Sequence, residues 1–91
     1  EAWLSPFYGR TSASISIHQF HRVDYRPLFD LVEPIFWKYQ ARPHWGKLHS
    51  LGARQLQALY PRWQAFSELR QALDPHGRLV NAHLAGLFGL T

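Results

Sequence analysis

Residues 11–20 alternate between two faces: Ala13, Ile15 and Ile17 fall on one, and Ser12, Ser14, Ser16, His18 and Phe20 on the other. A period of two predicts a half-buried β-strand. After a polar connector, Leu28, Leu31, Val32, Ile35, Phe36 and Tyr39 recur at helical spacing, which predicts an amphipathic helix from Pro27 to about Gln40. Pro34 falls inside it. A mid-helix proline removes one backbone hydrogen bond and clashes one turn back, so a kink or two abutting helices are expected there.

The second half of the chain reads as helical. Residues 52–59 predict a short helix, and Pro61 is placed to start another in which Trp63, Phe66, Leu69 and Leu73 repeat every three or four residues. Asp74-Pro75-His76-Gly77 is a turn signal, and residues 78–80 are expected to be extended. Asn81 then caps a last helix over 82–88 that stops at Gly89. A strand followed by helices gives an α+β fold class, with helices covering one sheet face.

Between the first two helical patterns lies Arg42-Pro43-His44-Trp45-Gly46-Lys47, the densest chemistry in the chain. It carries a guanidinium, an imidazole, an indole and an ammonium, with a proline that restricts the backbone and a glycine that releases it. Such a loop can aim several donors at one anionic or hydroxyl-rich target. It can equally be a turn with a buried tryptophan and solvated charges.

Composition narrows the function classes. A chain of 91 residues is one small unit with a modest core, and its six Phe, four Trp and four Tyr supply large apolar areas, some of them available to another domain. There is no cysteine, which excludes disulfides, thiolate metal sites and cysteine nucleophiles. A net charge of +4 invites a nucleic-acid reading. The eight Arg and two Lys are scattered, however, whereas backbone binding wants a concentrated patch. No stretch of apolar residues is long enough to span a membrane. His18 and His21 sit three apart on a predicted strand and point to opposite faces, and no His-Glu-x-x-His helix occurs, so no metal is expected. A Gly-x-Ser-x-Gly elbow is lacking for a serine hydrolase, and acids are too few for paired glycosidase carboxylates.

Four stretches in order carry a family resemblance. Arg42-Pro43-His44-Trp45-Gly46-Lys47 resembles the RPHW(G/A)K signature of the sugar-lactone and alditol oxidases, FAD-linked flavoproteins of the vanillyl-alcohol-oxidase type. Trp3-Leu4-Ser5-Pro6-Phe7-Tyr8-Gly9-Arg10 is similar to their LSP-x-Y-x-R stretch. Tyr60-Pro61 and Leu73-Asp74-Pro75-His76-Gly77-Arg78-Leu79-Val80-Asn81 resemble their YP and LDP-x-G-x-F-x-N stretches, with Leu79 where the family usually has Phe.

The resemblance implies an FAD-dependent oxidation in which a CH–OH group of a sugar lactone or polyol gives hydride to flavin. The 11–20 strand would then belong to the antiparallel sheet of a substrate domain. Ser16 falls at a variable substrate-contacting position, with His18 two residues along the same face. Lys47 is expected to hold the substrate oxygen and His44 to accept its proton or bond the flavin edge. Trp45 is given to packing. Arg42 would offset cofactor charge or stay solvated, and Asn81 would lie near the cofactor or simply cap its helix.

With no Met and no leader-like start, the chain reads as the C-terminal fragment of such an enzyme, inactive alone. Residues 1–50 would end the substrate (cap) domain and 51–91 would form a helical return toward an N-terminal FAD-binding domain, which would be its partner and hold most of the FAD. A cytoplasmic setting is expected. The alternative is a small basic binding or interaction module for nucleic acid or a protein partner.

Overall fold

The computed structural model describes residues 1–90 and contains four helices: α1 (Arg26–Lys38), α2 (Ala53–Leu59), α3 (Trp63–Leu73) and α4 (Ala82–Phe88). Among the described residues there is no strand and no sheet, which overturns the α+β expectation: the fold is all-helical. The reason lies in pairing. A strand satisfies its backbone through a neighbouring strand, and this chain offers one alternating segment with nothing to pair against. Residues 11–19 make no backbone–backbone hydrogen bond among the described residues, and both faces of the segment stay exposed. Ile15 is 68% exposed and Phe20 60%. The expected antiparallel substrate-domain sheet covered by helices is therefore absent among the described residues.

α1 runs unbroken through Pro34 rather than splitting into two abutting helices. No residue of α1 is buried, and Leu31 and Ile35 on its apolar stripe are largely exposed. It ends in a left-handed turn: Gln40 has φ 55°, while the Ala41 N–H returns to the Phe36 carbonyl (3.0 Å) and the Gln40 N–H to that of Trp37 (3.0 Å). Glycine is usual at such a position, because a left-handed backbone costs other residues roughly 1–2 kcal/mol. In exchange the chain turns sharply into Ala41 and Arg42.

The core sits over the other three helices. Leu56 of α2, fully buried, meets Tyr60, Trp63 of α3 and Leu87 of α4, with Leu4, Trp45, Leu51, Leu59 and Phe88 packed around them. Fully burying one such leucine contributes about 1.5–3 kcal/mol. α2 begins at Gly52, whose N–H donates to Gln55 Oε1 (3.0 Å), one half of a capping box. α3 starts at Trp63 rather than at Pro61, which sits in the preceding turn.

Asp74, nearly buried, accepts from the Arg78 N–H (2.8 Å) and the Leu79 N–H (2.9 Å). These bonds fold residues 74–80 into two successive turns, with no extended piece at 78–80 as the sequence had suggested. α4 follows its local signals: Asn81 Oδ1 accepts from the Leu84 N–H (2.8 Å), and Gly89 closes the helix at φ 69°. A β-carbon on Gly89 would come within 3.3 Å of Ala53, so glycine also permits the end of α4 to reach the start of α2.

Candidate functional site

The loop between α1 and α2 is anchored at several points. Arg42 leads. Its Nε donates to the Leu59 carbonyl (2.9 Å), and its Nη1 donates to the carbonyls of Tyr8 (2.6 Å) and Pro6 (3.4 Å). The guanidinium also lies over the Tyr60 ring, 4.9 Å from its centroid. One half-buried side chain thus joins the N-terminal turns, the end of α2 and the core. Burial, with Arg10 nearby, lowers the Arg42 pKa from its ordinary value.

Trp45 anchors the middle of the loop. Its ring packs on Tyr60 (5.6 Å between centroids), Phe88 (5.9 Å) and Trp63 (6.2 Å, nearly parallel), and its Nε1 donates to the Leu4 carbonyl (2.8 Å). The packing role read from the sequence is the one it has. From α4, His83 Nε2 approaches the Trp45 carbonyl at 3.4 Å. Beyond the loop, the Glu33 carboxylate of α1 accepts both the Ser50 N–H (2.9 Å) and the Ser50 Oγ–H (2.6 Å).

Between these anchors, residues 44–47 form a tight turn closed by the Lys47 N–H to the His44 carbonyl (3.2 Å). The Gly46 N–H donates to His44 Nδ1 (2.9 Å). A neutral imidazole that accepts at Nδ1 carries its proton on Nε2, so His44 presents an N–H outward. Lys47 is exposed, and the only ion pair among the described residues is Arg26–Asp24 (3.3 Å). The turn therefore offers an unpaired ammonium and an imidazole donor from a backbone held by the core.

The other sequence-predicted residues stand in different surroundings. Ser16 and His18 are both exposed on the irregular 11–20 segment. His18 lines a shallow groove with Phe20, Tyr25, Phe29 and Leu48, the last of these adjacent to Lys47 in the chain. Ser16 does not line it. Asn81 uses its Oδ1 as the α4 cap, while its Nδ2 makes no bond among the described residues. Arg42, expected to offset cofactor charge or to stay solvated, makes three donations to backbone carbonyls.

Sequence reasoning gave no role to Glu33 or His49, and it noted Tyr60 only within the Tyr60-Pro61 stretch. His49 Nδ1 accepts from the Leu51 N–H (3.1 Å), leaving its buried Nε2 without a partner. Burial lowers the His49 pKa, Glu33 opposes this and His83 adds to it. Tyr60, 2% exposed, has a buried hydroxyl without a bond, and burial raises its pKa. Nothing local in the sequence marks either orphan. Among the described residues, no group of three or more His, Cys, Asp or Glu could hold a metal, and no helix is long and apolar enough to cross a membrane.

The profile of the D-arabinono-1,4-lactone oxidase family matches residues 1–87 of the chain. The chain belongs to that family. It is 36% identical over 89 residues to the L-gulono-1,4-lactone dehydrogenase of Mycobacterium tuberculosis, covering 98% of this chain and 21% of that protein. It is 34% identical to the L-gulonolactone oxidase of Bos taurus, covering 93% of this chain and 20% of that one. It is 33% identical to the alditol oxidase of a Streptomyces species, covering 96% and 21%. The chain thus spans about a fifth of the length of the curated relatives it matches. No solved structure matches it.

Proposed function

We propose that this chain is the C-terminal part of an FAD-dependent oxidoreductase that oxidises a CH–OH group of a sugar lactone or polyol by hydride transfer to flavin. Its relatives are named for lactones and alditols, which supports the substrate class. The observation that carries the reading is the 44–47 turn, where the Lys47 ammonium has no acidic partner and His44 points an N–H outward.

The donor set fits an oxygen-rich target. An unpaired ammonium beside a substrate hydroxyl stabilises the negative charge that grows on oxygen as the carbon loses hydride. His44 Nε2–H donates a second bond, to the substrate or to the flavin edge, and so fixes orientation. Accepting a proton is the weaker role for His44, because Nδ1 is already engaged by Gly46. His18, on the groove that includes Leu48, supplies a further polar contact to the substrate, and Ser16 lies two residues before it. The exposed Nδ2 of Asn81 is available to the cofactor.

Bound FAD would supply the hydride acceptor. The chain carries no glycine-rich phosphate loop, so most of that cofactor would be held by an N-terminal FAD-binding domain. On this reading residues 1–50 end the substrate domain, 51–91 return toward the FAD domain, and the isolated chain is inactive. A cytoplasmic setting belongs to the same proposal.

The test uses the full-length parent protein with a panel of aldonolactones and alditols, following bleaching of the flavin. Lys47→Ala should slow substrate-dependent reduction by about 10²–10³-fold, the range for removing one preorganised charge-stabilising donor, with bound FAD unchanged. Equal reduction in the variant would remove Lys47 from the site. A parent that holds no flavin would overturn the whole reading.

A further inference from the structure

We propose that Arg42 is a positioning residue for Lys47 and His44, acting through the backbone rather than by touching substrate or cofactor. This rests on the preceding assignment of the 44–47 turn. The geometry that supports it is a three-way fork. A single guanidinium ties residue 42 to Leu59 at the end of α2 and to Pro6 and Tyr8 in the N-terminal turns. Those carbonyls lie 17, 36 and 34 residues away, so the fork gathers two distant stretches at the base of the loop.

Three residues further on, Trp45 donates to Leu4 in the same N-terminal turns and stacks on the aromatic core. On the far side Ser50 is clasped twice by Glu33. Lys47 therefore stands between two fixed flanks, yet its own side chain has no ion-pair partner to hold it. Its placement comes from the backbone, and Arg42 fixes the N-terminal end of the loop. With Nε and Nη1 on carbonyls and the guanidinium carbon 4.9 Å from the Tyr60 ring centroid, these donors are already engaged within the chain.

Lysine cannot reproduce the fork. A point ammonium carries charge but lacks the planar set of donors and the stacking face. An Arg42→Lys protein therefore separates charge from geometry. If Arg42 offsets cofactor charge, the lysine variant preserves function. If Arg42 positions the turn, it does not.

The experiment is a double-mutant cycle on the FAD-bound parent, combining Arg42→Lys and Arg42→Ala with Lys47→Ala. Its readouts are the rate of flavin reduction by an aldonolactone or alditol, the bound FAD and the flavin midpoint potential. The expected result is a 10- to 100-fold slower reduction in Arg42→Lys, the scale of a small misplacement of a reacting group. FAD content and potential stay unchanged, and little further loss appears when Arg42→Lys is added to Lys47→Ala. Full activity of Arg42→Lys, additive losses in the double variant, or a shifted flavin potential would each overturn the proposal. So would loss of FAD from both Arg42 variants, which would make Arg42 a support of the whole fold. If Lys47→Ala alone has no effect, the reading of the turn itself fails. A slow Lys47→Ala with additive Arg42 losses sinks only the positioning role.

Discussion

Tyr60→Phe should stabilise the core. Tyr60 is 2% exposed, its hydroxyl is buried beside the Trp45 indole N–H, which donates to the Leu4 carbonyl rather than to it, and its ring contacts Trp45, Trp63 and the Arg42 guanidinium. Burying a hydroxyl without a hydrogen bond costs about 1–3 kcal/mol as judged from protein variants. Phenylalanine keeps the ring, its area and a face for the guanidinium, a contact worth about 0.5–2 kcal/mol in either residue. Since burial raises the phenol pKa, the hydroxyl stays neutral and no charge is lost with it. The net expectation is a gain of about 1 kcal/mol. Native-state hydrogen exchange of the amides in α2 and α3 reads this directly, because their slowest openings report the local stability of the core. Opening free energies should rise in the variant. A fall of 1 kcal/mol or more would mean that the hydroxyl has a bonded partner in solution, and the account of Tyr60 as an orphan would be wrong.

Two further expectations concern pH. The Leu79 and Arg78 N–H groups hold the Asp74 carboxyl below its ordinary value of 3.8, burial opposes them, and Arg70 and His76 add to the lowering. That contribution is present above about 3.8 and is lost as pH falls through the lower folded value. Asp74→Asn should be less stable than the parent at neutral pH, and thermal melts of the two should converge in strong acid; a constant gap would deny the linkage. His49 runs the same way from a different start. With its pKa lowered below 6.5 by burial, despite Glu33 and with help from His83, the unfolded chain binds a proton that the folded chain refuses. Stability should therefore decline as pH drops below about 6.5 and level off below the folded value. His49→Gln should flatten that decline, and a variant with the parent's full slope would assign it elsewhere.

What the sequence made legible was local. Asn81 and Gly89 mark α4 because a cap and a left-handed stop act within four residues of themselves. Trp63, Phe66 and Leu73 marked α3 because helical periodicity needs no distant partner, and the resemblance carried by residues 42–47 led to the family that the match over 1–87 established. The 11–20 segment shows the opposite case. Its alternation is real, but a strand also needs a neighbour, and the pattern of one segment holds no information about whether that neighbour exists. Arg42 was invisible as a fork for a related reason. Its acceptors are main-chain carbonyls, which every residue has, so no side-chain signal points to Leu59, Pro6 or Tyr8. At Pro34 the sequence offered a kink or a split, and α1 is not split: the proline's effect is a local cost that the continuous helix sustains.

The near-parallel stacking of Trp45 on Trp63 gives the loop an optical signature. Two indoles whose centroids are 6.2 Å apart couple their strong ultraviolet transitions, and the resulting circular dichroism depends on their mutual angle. Trp45 is two residues from Lys47, and its backbone is part of the same turn. Any rearrangement of that turn on ligand arrival would rotate one chromophore against the other. The family signature thus carries its own spectroscopic reporter, with no label attached.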